Sequence, residues 1–223
     1  MSGRYEYKYV FQSKYLNYVK IYLKLNHLNF SKQYNKRHVN SLYYDNFDRD
    51  LYNYNLFGIS KRKKYRLRWY GDIYGIHNVF FEIKKKENDL GFKKISKINK
   101  FDINNHTKLS YISKKINEKI NLIDDKEFSL YNKPVVLTRY LREYYINWNK
   151  NVRITIDSNL VGYDLTYQKN LTFKTKRSLL NQNVLEIKFE ESVINEVEFF
   201  LKDFLILRTK NSKYINFVYM LNK

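Results

Sequence analysis

Apolar and polar residues alternate with a period of two through several short stretches of the chain, the pattern of strands with one face buried. The alternation is clearest between Lys61 and Lys86. KRKKYRLRWYG sets Arg62, Lys64, Arg66 and Arg68 on one face, with Tyr65, Leu67, Trp69 and Lys63 on the other. VFFEIKKK follows a short polar turn and sets Phe80, Glu82, Lys84 and Lys86 against Val79, Phe81 and Ile83. RYEYKYVF (4–11) divides Arg4, Glu6 and Lys8 from Tyr5, Tyr7, Tyr9 and Phe11 in the same way. In VLEIKFE (184–190), Glu186, Lys188 and Glu190 oppose Leu185, Ile187 and Phe189. Further strands are expected at 37–45, at FKKISKI after the turn at Gly91, and at PVVLTRYLREYYINW from Pro134. VRITID (152–157) follows Asn-Lys-Asn, a hairpin signal.

The helical period appears elsewhere. Ser13 is a suitable N-cap for a helix carrying Leu16, Val19, Tyr22 and Leu23 on one side. The segment from Asn46 to Gly58 reads as a short helix with Asp48 and Asp50 in its first turn. Residues 105–122 carry an apolar stripe of Leu109, Ile112, Ile116 and Ile120, and two more helices are expected at 192–207 and 212–222. No linker, repeat or low-complexity tract interrupts this order, so a single domain over 1–223 is expected.

A sheet with a charged side usually turns that side to water. The helices change the picture, because each needs an apolar surface to cover. If they cover the aromatic face of a curved antiparallel sheet, the charged faces turn inward and line a barrel lumen. Such a lumen needs carboxylates, water and an anionic ligand to offset its charge.

Composition sharpens that reading. The 223-residue chain has a net charge of +20, which points to a polyanionic partner. It has no alanine and 31 lysines, so base-composition drift accounts for part of the excess. The 11 arginines are less easily assigned to drift, since Arg66, Arg68, Arg139, Arg142 and Arg153 all fall within strand-like runs. Arginine grips phosphate oxygens in a fixed bidentate fork where lysine is a point charge. Without cysteine, disulfides and thiolate metal sites are excluded. His27, His38, His77 and His106 have no ligand or triad spacing. No apolar run is long enough to span a bilayer, and a soluble cytoplasmic protein is expected.

RYEYKYV, SLYYDN followed by Asp48-x-Asp50-LY, KYRLRWYG, FFEIKKK, PVVLTRYLRE, RITID, VLEIKF and TKNSKY occur in one order. The series resembles the VTC (vacuolar transporter chaperone) domain, the polyphosphate polymerase branch of the triphosphate tunnel fold, over about residues 4–215. The resemblance implies an α+β fold: a closed antiparallel eight-stranded barrel with helices packed outside. It implies transfer of the γ-phosphoryl group of ATP to a growing polyphosphate, releasing ADP, with Mn²⁺ or Mg²⁺ as cofactor. By motif, phosphate would be bound by Lys8, Arg66, Arg68, Lys84, Arg142, Arg153, Lys188, Lys210, Ser212 and Lys213. Arg66, Arg68, Lys84, Arg142 and Arg153 would act on the transferring group. Glu186 would hold the metal, with Glu6 and Glu82 as helpers, and one of Lys94 or Lys97 would add a phosphate contact.

The departures are informative. Tunnel proteins usually begin Glu-x-Glu-x-Lys, whereas Arg4-Tyr5-Glu6-Tyr7-Lys8 lacks the first carboxylate, which favours the polymerase branch. Arg139 and Arg142 cannot share a face of a regular strand, and the motif points to Arg142. The phosphate-sensing domain and membrane anchor that accompany eukaryotic relatives are not expected here, so coupling of synthesis to export is not implied. Three alternatives stand beside the polymerase: a tunnel-fold triphosphatase, a basic nucleic-acid module, and a tunnel binding polyphosphate or nucleotides without turnover. Glutamates among the basic residues disfavour nucleic acid, since they would repel a tracked phosphate backbone.

Overall fold

A computed structural model describes residues 4–88, 90–120 and 125–221, apart from the side chains of Arg4, Ile120 and Lys126. The expectations for the Arg4 and Ile120 side chains, and for residues 121, 122 and 222 as helix ends, lie outside the described residues. The chain runs through β1 (Arg4–Gln12), α1 (Leu16–Leu25), β2 (Ser31–Asp45), α2 (Asp50–Leu56), β3 (Lys61–Tyr70), β4 (Gly75–Glu87) and β5 (Leu90–Ile103). It continues through α3 (Leu109–Ile120), β6 (Lys133–Ile146), β7 (Val152–Asp164), β8 (Lys176–Ser178), β9 (Gln182–Glu190), α4 (Ile194–Leu201) and α5 (Lys213–Leu221).

Local chemistry accounts for several boundaries. Ser13 is not the cap of α1: a 3-10 turn covers Ser13–Tyr15, Tyr15 precedes the helix without a side-chain cap, and the Ser13 hydroxyl accepts from Asn183 Nδ2 at 3.2 Å. Arg49 enters α2 with φ 57°; the first helical amide, of Asp50, donates to Asn46 Oδ1 (2.9 Å), and Asp45 takes the next two, from Leu51 to Oδ1 (3.0 Å) and from Tyr52 to Oδ2 (2.9 Å). The helix expected over 192–207 ends at Leu201, because Phe204 turns back against Tyr9 and Tyr18 while Leu205 and Leu207 stay exposed.

The strands form one large antiparallel sheet in the order β1-β9-β7-β6-β2-β3-β4-β5, with β8 paired to β7. The expected closure is not present among the described residues: the path has two ends, β1 and β5. The far edge of β1 is taken by the C-terminal segment, through a Tyr9–Arg208 bridge and an amide bond from Thr209 to the Lys8 carbonyl. β5 carries exposed Lys94, Lys97 and Lys100, and lysines of this kind blunt a sheet edge.

The chain divides into two compact units. The first comprises Met1–Arg37, Tyr140–Leu160 and Ser178–Asn211, and the second His38–Arg139, Val161–Arg177 and Ser212–Lys223. In the first, Tyr7, Tyr9 and Phe11 of β1, Leu185, Ile187 and Phe189 of β9, and Ile154 and Ile156 of β7 form one core with Val19 and Leu23 of α1 and Val197 and Phe200 of α4. In the second, Leu42 and Tyr44 of β2, Tyr65, Leu67 and Trp69 of β3, and Val79, Phe81 and Ile83 of β4 pack with Leu109, Ile112 and Ile116 of α3. Burying each such side chain stabilises by about 1.5–3 kcal/mol, so the aromatic faces go to the helices and the charged faces lie opposite. Also in the second unit, Gly162 of β7 admits the Phe217 ring of α5, whose Cδ1 would stand 2.3 Å from an added Cβ.

Candidate functional site

The register of the second unit gathers one set of expected residues. Lys64 pairs with Lys84, Arg66 with Glu82 and Arg68 with Phe80 across β3 and β4. Tyr43 and Ser41 of β2 lie opposite Arg66 and Arg68, and Lys93, Ile95 and Lys97 of β5 lie opposite Lys84, Glu82 and Phe80. Directly paired residues share a face, so all of these line one surface. Of Lys94 and Lys97, Lys97 shares it; Lys94 stands opposite Ile83.

Glu82 sits at the centre, 3% exposed. Its Oε2 accepts from Arg66 Nε (2.9 Å) and Nη2 (2.6 Å) and pairs with Lys93 Nζ (3.0 Å), while Arg68 Nη1 lies 3.4 Å from Oε1. Burial alone would raise this carboxyl's pKa, but Arg66, Arg68 and Lys93 together outweigh it and hold the value at about 2. Lys93 is pushed below its ordinary value, chiefly by burial, with Glu82 opposing and the two arginines adding to the shift. Arg68 Nε also donates to Ser41 Oγ (3.3 Å), and Arg66 Nη1 to the Tyr43 hydroxyl (3.5 Å). Three cations thus meet one carboxylate, with Lys64, Lys84 and Lys97 on the same face.

The start of α5 belongs to this unit. Lys64 Nζ donates to Ser212 Oγ (3.0 Å), and the same oxygen accepts from the Ile215 amide (3.5 Å) at the helix N-terminus. Tyr214 fixes the helix: its hydroxyl donates to Asp45 and its ring stacks on Tyr43 at 5.1 Å. Half-buried Lys213 opens the helix.

The first unit gathers the other set. Glu6 pairs with Lys188 and Lys8 with Glu186 across β1 and β9, and Arg153 and Thr155 of β7 face Lys188 and Glu186. Lys8 Nζ lies 2.7 Å from Glu6 and donates to the Asn211 carbonyl at 3.3 Å. Lys188 Nζ lies 2.7 Å from Glu186 and 3.8 Å from Glu6. Arg142 makes two bonds to fully buried Asp157, from Nε to Oδ1 (2.6 Å) and from Nη2 to Oδ2 (2.8 Å). Burial would lower the arginine's pKa, and Asp157 reverses this to hold it well above its ordinary value. Arg153 and Lys210 are exposed. Arg139, of the other parity, donates to Asn40 Oδ1 (2.7 Å) and the Gly71 carbonyl (3.0 Å) in the second unit.

Three members were not assigned from sequence. Asp157 has the same parity as Arg153 in VRITID, a signal that strand alternation could have used. Lys64 lies on the expected charged face, but only the fold brings it to Ser212. Lys93 reaches Glu82 because of the β4–β5 register, which the turn sequence does not fix.

Among the described residues no three carboxylate or imidazole groups gather as a ready metal cage. Glu6 and Glu186 nonetheless lie on neighbouring strands and share the Lys188 ammonium, so two hard oxygen donors already turn toward one cation. That donor set fits Mn²⁺ or Mg²⁺ carried with phosphate, since Mg²⁺ is usually bound by one or two carboxylates plus substrate phosphates. Glu82, beside three cations, is poorly placed to take a further one.

The VTC domain family profile matches residues 3–222. None of the curated proteins matches the chain. Two solved structures, each of a protein described as a putative adenylate or adenylyl cyclase, resemble it at 14% identity. The one from Vibrio parahaemolyticus covers 100% of this chain and 99% of its own, with a TM-score of 0.52, a likeness of fold. The one from Hippeastrum, described as having a dominant triphosphatase activity, covers 98% and 97% with a TM-score of 0.48. No helix among the described residues is long and apolar enough to cross a membrane.

Proposed function

The chain belongs to the VTC domain family, and from that premise we propose that it is a polyphosphate polymerase, moving the γ-phosphoryl group of ATP onto inorganic polyphosphate and releasing ADP. The observation that carries the reading is the gathering of cations on one strand face: Arg66, Arg68 and Lys93 meet at Glu82, Lys64, Lys84 and Lys97 share that face, and a polyphosphate is the kind of anion such a face suits.

In this reading a terminal phosphate oxygen of the polymer attacks the γ-phosphorus, and the bond to the β-phosphate oxygen breaks. The nucleophile is already ionised at neutral pH, so no general base is required. The protein's work is to position the phosphates and offset charge on their non-bridging oxygens. Arg66 and Arg68, aimed beforehand by Glu82, Tyr43 and Ser41, exchange part of their contact with Glu82 for phosphate. Lys84, Lys97, Ser212 and Lys213 add donors in the same unit, and Lys8, Arg142, Arg153, Lys188 and Lys210 do so in the first. Glu186 and Glu6 would hold Mn²⁺ or Mg²⁺, which when bound neutralises phosphate oxygens as a Lewis acid.

The test is incubation with ATP and Mn²⁺, followed by a gel stained for polymer. Long polymer with equivalent ADP supports the proposal. Orthophosphate without polymer makes the chain a triphosphatase, and bound but unconsumed ATP makes it a binding module; either result rejects the polymerase.

A further inference from the structure

We infer that Thr155, to which the family resemblance assigns no role, is a substrate-contacting residue whose hydroxyl donates a hydrogen bond to a phosphate oxygen; the inference rests on the phosphate-binding reading above. The Thr155 Oγ1 atom is buried and has no hydrogen-bond partner in the protein. Its position separates it from the unpartnered hydroxyl of Tyr44. The Tyr44 hydroxyl lies on the aromatic side, in the core with Phe81 and Phe128. Thr155 is paired in register with Glu186 and stands two residues from Arg153 and Asp157, so it shares the charged face of β7 and β9. Ile154 and Ile156, its neighbours of opposite parity, are in the core.

A threonine at this place has a cost that valine, of nearly the same shape and equally suited to a strand, would avoid. The carboxylates beside it are already engaged, Asp157 with Arg142 and Glu186 with Lys188. What the hydroxyl lacks is an acceptor, and Arg153 and Lys188, paired one step along the same face, draw anionic oxygen to it. Being neutral, the hydroxyl adds direction without adding charge, so it favours an oxygen in one position rather than any nearby anion.

The experiment titrates wild type, Thr155→Val and Thr155→Ser with inorganic triphosphate by calorimetry and records thermal melts of each without ligand. The expected result is wild-type binding, affinity lower by about tenfold in Thr155→Val, and near wild-type affinity in Thr155→Ser. The melting temperature of Thr155→Val should be unchanged or higher, because an unpaired polar group has been removed. Equal affinity of Thr155→Val and wild type overturns the inference and leaves the phosphate-binding reading standing. Loss of affinity in Thr155→Ser as large as in the valine variant overturns it too, by assigning the effect to packing. Should Thr155→Val fail to fold, Thr155→Ala is compared with Thr155→Ser under the same criteria. A wild-type protein that does not bind triphosphate overturns both readings.

Discussion

Glu82→Gln is the perturbation whose size follows most directly from the structure. The carboxylate is 3% exposed and meets Arg66 at 2.6 and 2.9 Å, Lys93 at 3.0 Å and Arg68 at 3.4 Å. Glutamine keeps the shape and removes the charge, leaving three cations to repel one another. The native carboxyl is held at about 2 against an ordinary value of 4.5. That gap corresponds to about 3 kcal/mol of stability near neutral pH, within the range for breaking a buried pair, about 3–5 kcal/mol. Because the folded value is depressed, this contribution is present above pH 4.5 and is lost as the pH falls through about 2. Near pH 3 the gap should have shrunk to about 1.4 kcal/mol. Urea unfolding of both proteins at neutral pH and near pH 3 measures this. Saturating triphosphate should restore the variant more than it stabilises wild type, since phosphate replaces the missing negative charge. A variant within about 0.5 kcal/mol of wild type at neutral pH, or a gap that does not shrink on acidification, would refute the reasoning.

Glu186→Gln should lower Mn²⁺-dependent turnover much more than triphosphate affinity, measured by steady-state rates and calorimetry on one preparation; equal losses would remove it as a metal ligand. Arg153→Ala, at an exposed position, should leave the unfolding free energy within about 0.5 kcal/mol of wild type while weakening triphosphate binding, and unchanged affinity would make Arg153 a surface charge. Gly162→Ala should destabilise by about 1–3 kcal/mol or more in urea unfolding, because its Cβ would meet the Phe217 ring at 2.3 Å, and a neutral result would mean that α5 shifts without cost.

The strand alternation made both faces of β3, β4, β1 and β9 legible before any coordinates, because a period of two assigns sides without reference to the rest of the fold. It also separated Arg142 from Arg139, whose side chain reaches Asn40 and Gly71. Register was not legible. Lys93 and Lys97 share a face with Glu82, but Gly91 alone could not say so, and Lys94 was an equal candidate. β2 begins at Ser31, although most of its residues from Ser31 to Arg37 are exposed and give no apolar signal. Ser13 resembled a cap by residue type, yet its hydroxyl serves Asn183, a contact separated by 170 positions that no local pattern encodes. Closure depended on the edges, and the sequence did not reveal that Arg208 and Thr209 would occupy that of β1.

The most direct test of the central claim, that the charged strand faces hold a polyphosphate, is a crystal structure of the protein grown with inorganic triphosphate. The account predicts phosphate oxygens within hydrogen-bond distance of strand residues such as Arg66 and Arg68 or Arg142 and Arg153. Triphosphate found instead only in the cleft of about 900 Å³ beside α3, among Lys108, Lys114, Lys133 and Lys169, with the strand faces unchanged, would contradict it.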